Sequence, residues 1–245
     1  MKGYIDIHCH ILPGADDGPK TMEDTINMIR LAHEQGISHM IATPHYHQGR
    51  YGRPSSELIS RLKEVREAVR QAGLPVRLSL GNEIYYNGSV LEKLESRRIL
   101  TLGKTSYILV EFSPAEDYRH MSDALHGLLL GGYRPVLAHA ERYSCLREDI
   151  GRVKELVRMG YYIQVNAASI QGDAGFFVKR FTDKLMKEDL IHFAATDAHG
   201  TGSRSPKIQG GIRRMEKKYG EDYVRTLFCD NPKKLLENEI IDAKR

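Results

Sequence analysis

The chain has 245 residues, of which 41% are hydrophobic and 28% charged, and this composition excludes disordered, collagen-like and coiled-coil proteins. Its 36 basic and 32 acidic residues give a net charge of +4, too small to indicate nucleic acid as the default partner. Three cysteines without a CxxC pair stand beside eleven histidines, which argues against a disulfide framework or a cysteine-based zinc finger. Histidine, the commonest metal ligand, is therefore the residue type to follow.

The compartment and the domain organisation follow from what the sequence lacks. No basic stretch followed by an apolar one opens the sequence, and no apolar run reaches the ~20 residues of a membrane-spanning helix. We therefore expect a cytoplasmic protein with no membrane insertion. No Pro/Ser-rich linker divides the chain, so we expect residues 1–245 to form a single domain.

Short β-branched or aromatic runs alternate with helical patterns along the whole chain. Seven strands are predicted, at residues 4–10, 39–45, 76–83, 106–112, 135–141, 161–168 and 192–199. Helices are predicted between them at residues 21–35, 56–72, 89–96, 123–130, 148–159 and 177–187, with two more within 206–237. Thr21 and Asp24 form a capping-box pattern at the first helix. This alternation is typical of βα units that build a parallel sheet.

Acidic or imidazole side chains end six of the seven predicted strands. They are His8 and His10, His45, Glu83, Glu111, His139, and Asp197 with His199. A barrel brings all its strand ends to one mouth, whereas an open doubly wound sheet spreads them along an edge ~30 Å wide. Convergence therefore favours an α/β barrel with its site at the C-terminal ends of the strands.

The first strand shows how two of these side chains reach one ion. Ile5 and Ile7 alternate with His8 and His10, which places both imidazoles on one face. Asp6 shares their parity but lies deeper, so we expect it to orient a ligand or form an ion pair. A lone strand histidine or carboxylate is usually structural, but so many buried together would cost several kcal/mol each without compensation. Divalent cations supply that compensation.

The segments that carry these residues occur in a characteristic order: DIHCHILPGADDG, IATPHYH, GNE, ILVEF, LAHAER and ATDAH. With this order over nearly its full length, the chain resembles the polymerase-and-histidinol-phosphatase superfamily of metallophosphoesterases. Within it, the chain is most similar to the bacterial tyrosine phosphatases that act in capsule and exopolysaccharide synthesis. The resemblance implies a distorted seven-stranded (β/α)7 TIM-like barrel with three metal ions.

The resemblance also implies the metal ligands. The first ion would take His8, His10, Glu83 and Asp197; the second Glu83, Glu111 and His139; the third Asp17, His45 and His199. Asp16 is an alternative to Asp17, since either neighbour can turn inward from a glycine-flanked loop. The mixture of nitrogen and oxygen ligands suits manganese, with iron or zinc as alternatives.

The activity implied is hydrolysis of phosphotyrosine by direct attack of metal-bound hydroxide, with no phosphoenzyme. The residues support this independently, because none of the three cysteines has an arginine six positions later, as the cysteine phosphatase loop requires. Arg142 and Arg204 follow ligand positions and are predicted to bind phosphate, for which a guanidinium offers a bidentate fork. His47 either contacts the phosphate, protonates the leaving group or is a solvated loop residue. Tyr51, Tyr85 and Tyr86 are candidates for a wall around an aromatic substrate.

The implied partner is a phosphotyrosine-bearing protein, namely the tyrosine kinase of a polysaccharide operon. Three alternatives stay open: a small-molecule phosphatase of the histidinol-phosphatase type, a nuclease, and a non-catalytic phosphotyrosine-binding module. The nearly balanced charge argues against the nuclease and against nucleic acid as a partner. A homo-oligomer is compatible with the sequence.

Overall fold

The computed structural model describes residues 3–242, which form an α/β fold. Its strands are β1 (Tyr4–Cys9), β2 (Ile37–Ala42), β3 (His45–Tyr46), β4 (Arg77–Leu80), β5 (Glu83–Tyr85), β6 (Tyr107–Glu111), β7 (Arg134–Leu137), β8 (Tyr162–Asn166) and β9 (Phe193–Ala195). Its helices are α1 (Met22–Glu34), α2 (Ser55–Gln71), α3 (Val90–Glu95), α4 (Tyr118–Leu130), α5 (Ser144–Glu148), α6 (Ile150–Arg158), α7 (Ala167–Gln171), α8 (Phe176–Lys187), α9 (Gln209–Tyr219), α10 (Glu221–Arg225) and α11 (Asn231–Leu236). The predicted alternation of strands and helices is confirmed.

Local sequence signals explain where helices begin. The capping box predicted at α1 is present, with the Thr21 side chain accepting from the Asp24 N–H and the Asp24 side chain accepting from the Thr21 N–H. At α4 the Asp117 side chain accepts from two backbone N–H groups, and the helix begins five residues before the predicted start. Among residues 3–242, no helix combines the length and apolar character that crossing a membrane requires.

The strands form two sheets in which every paired strand is parallel. One has the order β1-β2-β4 and the other β3-β5-β6-β7-β8-β9. The predicted strands at 39–45 and 76–83 are each divided into two short strands. Pro44 offers no N–H to a ladder, and the Asn82 side chain donates to the Pro44 carbonyl at 2.9 Å and accepts from the Leu100 N–H at 2.9 Å. The division therefore lies where side-chain bonds replace ladder bonds.

The chain after β9 returns to the end of β1. Cys9 and Ala198 form a parallel bridge, in which the His10 N–H donates to the Ala198 carbonyl and the Asp197 N–H to the His8 carbonyl, both at 2.8 Å. The sheets are therefore curled, and the first and last strands bring their polar ends together.

An extra residue in β1 interrupts the predicted alternation. Asp6 pairs with Met40 and Cys9 with Ala42, so β1 takes three steps where β2 takes two. Asp6 consequently leaves the face of His8: its carboxylate accepts from the Thr196 hydroxyl at 2.6 Å and from the Thr196 N–H at 3.0 Å. Burial raises the pKa of Asp6 to about 6. The shared parity predicted for Asp6 is wrong, and its role is to join β1 to the end of β9.

Two apolar layers support the curled sheets. The inner one gathers alternate residues of the strands and is closed by the C-terminal segment: Ile5, Ile7, Ile41, Leu102, Tyr107, Leu109, Val136, Ala138, Tyr162, Phe193, Ala195, Leu235 and Ile241. Two tyrosine hydroxyls fix that segment, since Tyr107 donates to the Glu239 carbonyl and Tyr162 to the Ile241 carbonyl. The larger layer lies between sheet and helices. The C-terminal segment is thus packed against the first residues of β6 and β8.

Candidate metal centre

The nine metal ligands predicted from the sequence converge on one region. Eight of them fall into three groups, and within each group the potential ligand atoms lie within 4.8 Å of one another. The groups are His8, His10, Glu83 and Asp197; His10, Asp17, His45 and His199; and His45, Glu83 and Glu111. His139 adjoins the last group. Nearness in the sequence does not explain this convergence, because the residues come from positions 8 to 199. The curl of the sheets brings them together.

The first group is fully buried. His8 Nε2 lies 3.2 Å from Glu83 Oε1 and 3.5 Å from Asp197 Oδ1, while His10 Nε2 lies 3.2 Å from Glu83 Oε2. The two imidazoles approach each other to 3.3 Å between their Nε2 atoms. Two imidazole nitrogens and two carboxylates therefore face a common point, and these four are the residues predicted for the first ion.

Glu83 is shared with the second group. His139 Nε2 lies 2.9 Å from Glu83 Oε1 and 3.5 Å from Glu111 Oε1, and His45 Nδ1 lies 3.0 Å from Glu83 Oε2. Burial would raise the pKa of Glu83, but the surrounding histidines hold it well below its usual range. His45 was predicted only for the third ion, whereas the geometry also places it beside the second.

The third group lies nearest to solvent. Asp17 Oδ1 is 3.4 Å from both His45 Nε2 and His199 Nε2. Asp16, the alternative, turns instead toward His10: its Oδ2 lies 2.6 Å from His10 Nδ1 and accepts from the His45 N–H at 2.9 Å. The two neighbouring carboxylates thus have different positions, one among the ligand atoms and one behind His10.

Two buried atoms test whether a cation suits this region. Glu83 Oε2 and His199 Nε2 make no hydrogen bond with any part of the chain between residues 3 and 242. Glu83 Oε2 lies 3.0 and 3.2 Å from nitrogens of His45 and His10, and His199 Nε2 lies 3.4 Å from Asp17 Oδ1. Both atoms therefore have polar neighbours without a hydrogen bond, an arrangement that a cation between them would stabilise. Because imidazole and carboxylate are ligands for manganese, iron and zinc, the residues present fit divalent metal ions.

Strained backbone holds two of these side chains in place. His139 has φ of 35° and Asp197 has φ of 53°, in the left-handed region that residues other than glycine rarely adopt. Both follow the end of a buried strand, β7 and β9 respectively. Such strain is found where the surrounding structure fixes a functional geometry.

The two predicted phosphate-binding arginines both reach Asp197. Arg142 donates to Asp197 Oδ2 at 2.7 Å and Arg204 to Asp197 Oδ1 at 3.0 Å, while their side chains stay 40% and 44% exposed. Burial would raise the pKa of Asp197, but His8 and Arg142 hold it well below its usual range. Each guanidinium is therefore anchored at the buried group and keeps donors toward solvent.

His47 lies outside these groups. Its ring stacks on Tyr85 with a centroid distance of 4.3 Å and an interplanar angle of 2°, and Tyr51 stacks on His45 at 5.6 Å. Within residues 3–242, His47 makes no hydrogen bond or ion pair to the grouped ligands. Tyr86 packs on Phe112 at 5.3 Å. His47, Tyr85 and Tyr51 therefore form an aromatic rim, to which Tyr86 does not belong.

Sequence reasoning missed Gln164 and Asn166 of β8, which hydrogen-bond to predicted ligands. Gln164 Oε1 accepts from the His139 N–H at 2.8 Å, which fixes the orientation of the amide. The same oxygen lies 3.1 Å from His8 Nδ1, so that nitrogen donates to it and Nε2 is left as the nitrogen that faces the carboxylates. Gln164 Nε2 donates to Asn166 Oδ1, and Asn166 Nδ2 donates to Asp197 Oδ2, both at 2.9 Å.

The sequence does contain a pattern that could have indicated these two residues. The predicted strand at 161–168 is the one without an acidic or imidazole end, yet Gln164 and Asn166 alternate along it. In the structure both are buried. Because the other six predicted strands carry candidate ligands, polar residues that alternate along the seventh are candidates to form hydrogen bonds with them.

Comparisons with known proteins identify relatives over nearly the whole chain. Residues 4–237 match the family model described as "Capsular polysaccharide synthesis, CpsB/CapC". The tyrosine-protein phosphatase CpsB of Streptococcus pneumoniae is 35% identical over 242 residues, covering 97% of this chain and all of that protein. The tyrosine-protein phosphatase YwqE of Bacillus subtilis is 35% identical over 237 residues, covering 97% of this chain and 93% of that protein.

Solved structures show the same relationship. A chain from the crystal structures of YwqE from B. subtilis and CpsB from S. pneumoniae, described as metal-dependent tyrosine phosphatases, matches with a TM-score of 0.92 at 35% identity, covering 98% of this chain and 97% of that one. The phosphotriesterase homology protein of Escherichia coli matches with a TM-score of 0.63 at 12% identity over 96% of this chain and 99% of that one, a likeness of fold alone. The chain therefore belongs to the CpsB/CapC family of capsular polysaccharide synthesis.

Proposed function

We propose that this protein is a metal-dependent protein-tyrosine phosphatase. The observation that carries the proposal is the convergence of five histidines and four carboxylates around Glu83, in a chain whose full-length relatives are tyrosine-protein phosphatases. Two buried cysteines, Cys9 and Cys145, have pKa values raised by burial, which disfavours the thiolate that a cysteine phosphatase needs.

The architecture proposed for this activity is one distorted seven-stranded barrel that forms a single domain of residues 1–245. In support, only two residues separate β2 from β3, and only two separate β4 from β5. If each pair is counted as one interrupted strand, the nine short strands become seven. The bridge between Cys9 and Ala198 joins the last strand to the first. The metal site would then lie at the C-terminal ends of the strands.

Three divalent ions, manganese in the first instance and iron or zinc otherwise, are proposed to occupy the three groups. His8, His10, Glu83 and Asp197 would hold the first; Glu83, Glu111, His139 and His45 the second; Asp17, His45 and His199 the third. When bound, such ions supply Lewis-acid activation of water and charge neutralisation for a phosphoryl group. Asp16 then orients His10 and is not a ligand.

The remaining tasks belong to the chain's own side chains. Arg142 and Arg204 carry fixed positive charge at the edge of the cluster, and their outward N–H groups are suited to the non-bridging oxygens of a phosphate. Asp197 holds both guanidinium groups, so it positions them as well as facing His8. His47 is proposed to contact the tyrosyl ring or its leaving oxygen from the rim, since its stacking on Tyr85 fixes the ring plane.

The proposed substrate is a phosphotyrosine-bearing protein of a polysaccharide-synthesis system, namely its tyrosine kinase, met in the cytoplasm. This rests on the family to which the chain belongs. A phosphatase of the histidinol-phosphate type is the alternative that would use the same metal residues.

A substrate panel tests the proposal directly. The manganese-loaded protein should hydrolyse phosphotyrosine peptides with a kcat/KM at least ~10-fold above that for histidinol phosphate, because an aromatic rim adds apolar contact. Chelation should abolish turnover, and alkylation of the thiols should leave most of it. A preference for histidinol phosphate, or inactivation by alkylation at unchanged metal content, would overturn the proposal.

His139→Ala should lose both bound metal and turnover.

A further inference from the structure

An exposed aromatic pair lies at the start of α8. Phe176 and Phe177 are 70% and 79% exposed, and their rings contact each other edge to face at 5.6 Å. Large apolar side chains exposed together are informative, since a soluble surface gains nothing from them. The pair adjoins a groove of about 450 Å³ between α5 and α8.

The same groove carries an excess of positive charge. Phe177, Arg180 and Lys184 are spaced by three and four residues, so they lie on one face of α8, and Arg147 of α5 lines the other side. Within residues 3–242, no carboxylate lies at salt-bridge distance from Arg147, Arg180 or Lys184. Glu148, which also lines the groove, is 3.6 Å from Arg152. Arg180 and Lys184, both exposed, are thus available to a partner beside an exposed phenylalanine, and Arg147 adds a positive charge that no carboxylate of the described residues neutralises.

One residue of the groove is bonded to the segment that carries a predicted phosphate-binding arginine. The Arg147 guanidinium donates to the carbonyls of Arg142 and Glu141, so it is fixed to the segment that carries the arginine facing Asp197. Arg147, which lines the groove, and Arg142, which bonds Asp197, are therefore held by the same short segment of the chain.

We propose that the groove between α5 and α8, with the Phe176–Phe177 pair, docks an acidic peptide segment next to the phosphotyrosine of the protein substrate. The proposal rests on the proposed phosphatase function and names its substrate class. Charge complementarity selects acidic residues for Arg147, Arg180 and Lys184, and Phe177 provides apolar contact for a side chain between them. Because Arg147 is bonded to the Arg142 segment, the docked residues are taken to belong to the same polypeptide as the phosphotyrosine.

Steady-state kinetics with matched peptides tests this. Arg180→Glu combined with Lys184→Glu should raise KM about 10-fold for a phosphotyrosine peptide flanked by Asp and Glu. It should leave kcat, and both constants for para-nitrophenyl phosphate, nearly unchanged, because that substrate is too small to reach α8. Phe177→Ala should raise KM for the acidic peptide in the same selective way. A peptide with neutral flanks should respond little.

A matched control separates docking from net charge. Arg213→Glu with Lys217→Glu reverses two exposed charges at the same four-residue spacing on α9, and it should leave KM for the acidic peptide unchanged. Fluorescence anisotropy of the unphosphorylated acidic peptide measures docking without turnover, and it should weaken with the α8 variant alone.

The outcomes are distinct. Equal KM changes with both double variants, or unchanged peptide binding with the α8 variant, would overturn the docking proposal while the phosphatase proposal stands. Turnover of para-nitrophenyl phosphate alone, with peptide binding still dependent on α8, would instead remove the phosphotyrosine function. If light scattering shows that the α8 variant loses an oligomer without a change in peptide binding, the face joins copies of this chain and docking is wrong.

Discussion

At the scale of single residues, Glu83 is the centre of the site. Its two oxygens lie between 2.9 and 3.2 Å from the nitrogens of His8, His10, His45 and His139. A carboxylate with so many imidazole neighbours takes its protonation state from them, which is why its pKa lies well below the usual range. Metal-ligating histidines are usually oriented by a second hydrogen-bond partner, and Asp16 and Gln164 occupy such positions behind the predicted ligands His10 and His8.

Gln164 provides a prediction at this scale. Gln164→Leu removes the acceptor shared by His8 Nδ1 and the His139 N–H, so His8 loses the bond that sets its tautomer. We expect metal affinity to fall ~10- to 100-fold, the range found when the partner of a ligating histidine is removed. Isothermal titration of the metal-free protein with manganese measures this loss.

Gln164→Glu serves as the comparison, since it keeps an acceptor oxygen and should retain more of the affinity than Gln164→Leu. Thermal unfolding of both metal-free variants checks that they fold. Undiminished manganese affinity in a folded Gln164→Leu protein would contradict the proposed role.

At the scale of elements, the site depends on what happens just after strands end. His139 and Asp197 follow β7 and β9 in left-handed conformations, and the loop from His10 to Gly18 folds back so that Asp16 meets His10. Within that loop, the Gly18 N–H donates to Asp16 Oδ1 at 2.9 Å. The strands give rigid positions, and short irregular segments aim the side chains.

Gly18→Ala tests the close packing of this loop. A Cβ at Gly18 would lie 2.6 Å from the His10 carbonyl oxygen and 3.0 Å from Asp16 Oδ1, so the loop must move. Overpacking of this kind costs about 1–3 kcal/mol, and the movement separates Asp16 from His10. We expect weaker manganese binding together with a lower melting temperature. Gly88→Ala, where no atom lies within 4 Å of the added Cβ, should change neither and is the matched control.

At the scale of the whole molecule, the small net charge of +4 conceals a strongly charged interior. In the metal-free protein, protons on the histidines take the place of cations. Burial lowers the pKa of His139, but Glu111 and Glu83 outweigh it and raise the value to about 9, and the pKa of His45 is raised in the same way by Glu83. His199 is the exception, since burial and His10 lower its pKa to about 3.

These directions predict how stability changes with pH. A histidine whose pKa is raised in the folded state stabilises the fold fully below its unfolded value near 6.5, and this contribution disappears as the pH rises through the folded value. Metal-free protein should therefore lose stability between pH 6.5 and about 9, the window set by His139. His199, whose folded pKa is lowered, opposes this trend only near pH 6.5, where it is still partly protonated in the unfolded state, and it adds nothing to the slope at higher pH.

Differential scanning calorimetry with manganese and with chelator measures this effect. Because bound metal takes the place of the protons, the melting temperature of the loaded protein should change less with pH, and the gap between the two forms should widen toward pH 9. Parallel pH dependence of the two forms would contradict the replacement of protons by metal.

Local sequence patterns were sufficient to predict the alternation of strands and helices and the capping box at α1, because these features depend on neighbours within a few residues. The patterns failed at β1, where one extra residue between Asp6 and Cys9 moved Asp6 to Thr196. A bulge of one residue leaves no mark on a short hydrophobic pattern, since its cause is the fit to β2 and β9.

The residue types at the strand ends, and the family that they indicate, are properties of the sequence alone, since they depend only on side-chain chemistry and on order along the chain. Only the tertiary structure decided that His45 lies beside Glu83 as well as Asp17, that Asp16 lies behind His10, and that Gln164 and Asn166 connect His8 to Asp197. These contacts join residues as far apart as 8 and 197 in the chain. The curl of two parallel sheets brings them within hydrogen-bond distance, and no local pattern encodes that curl.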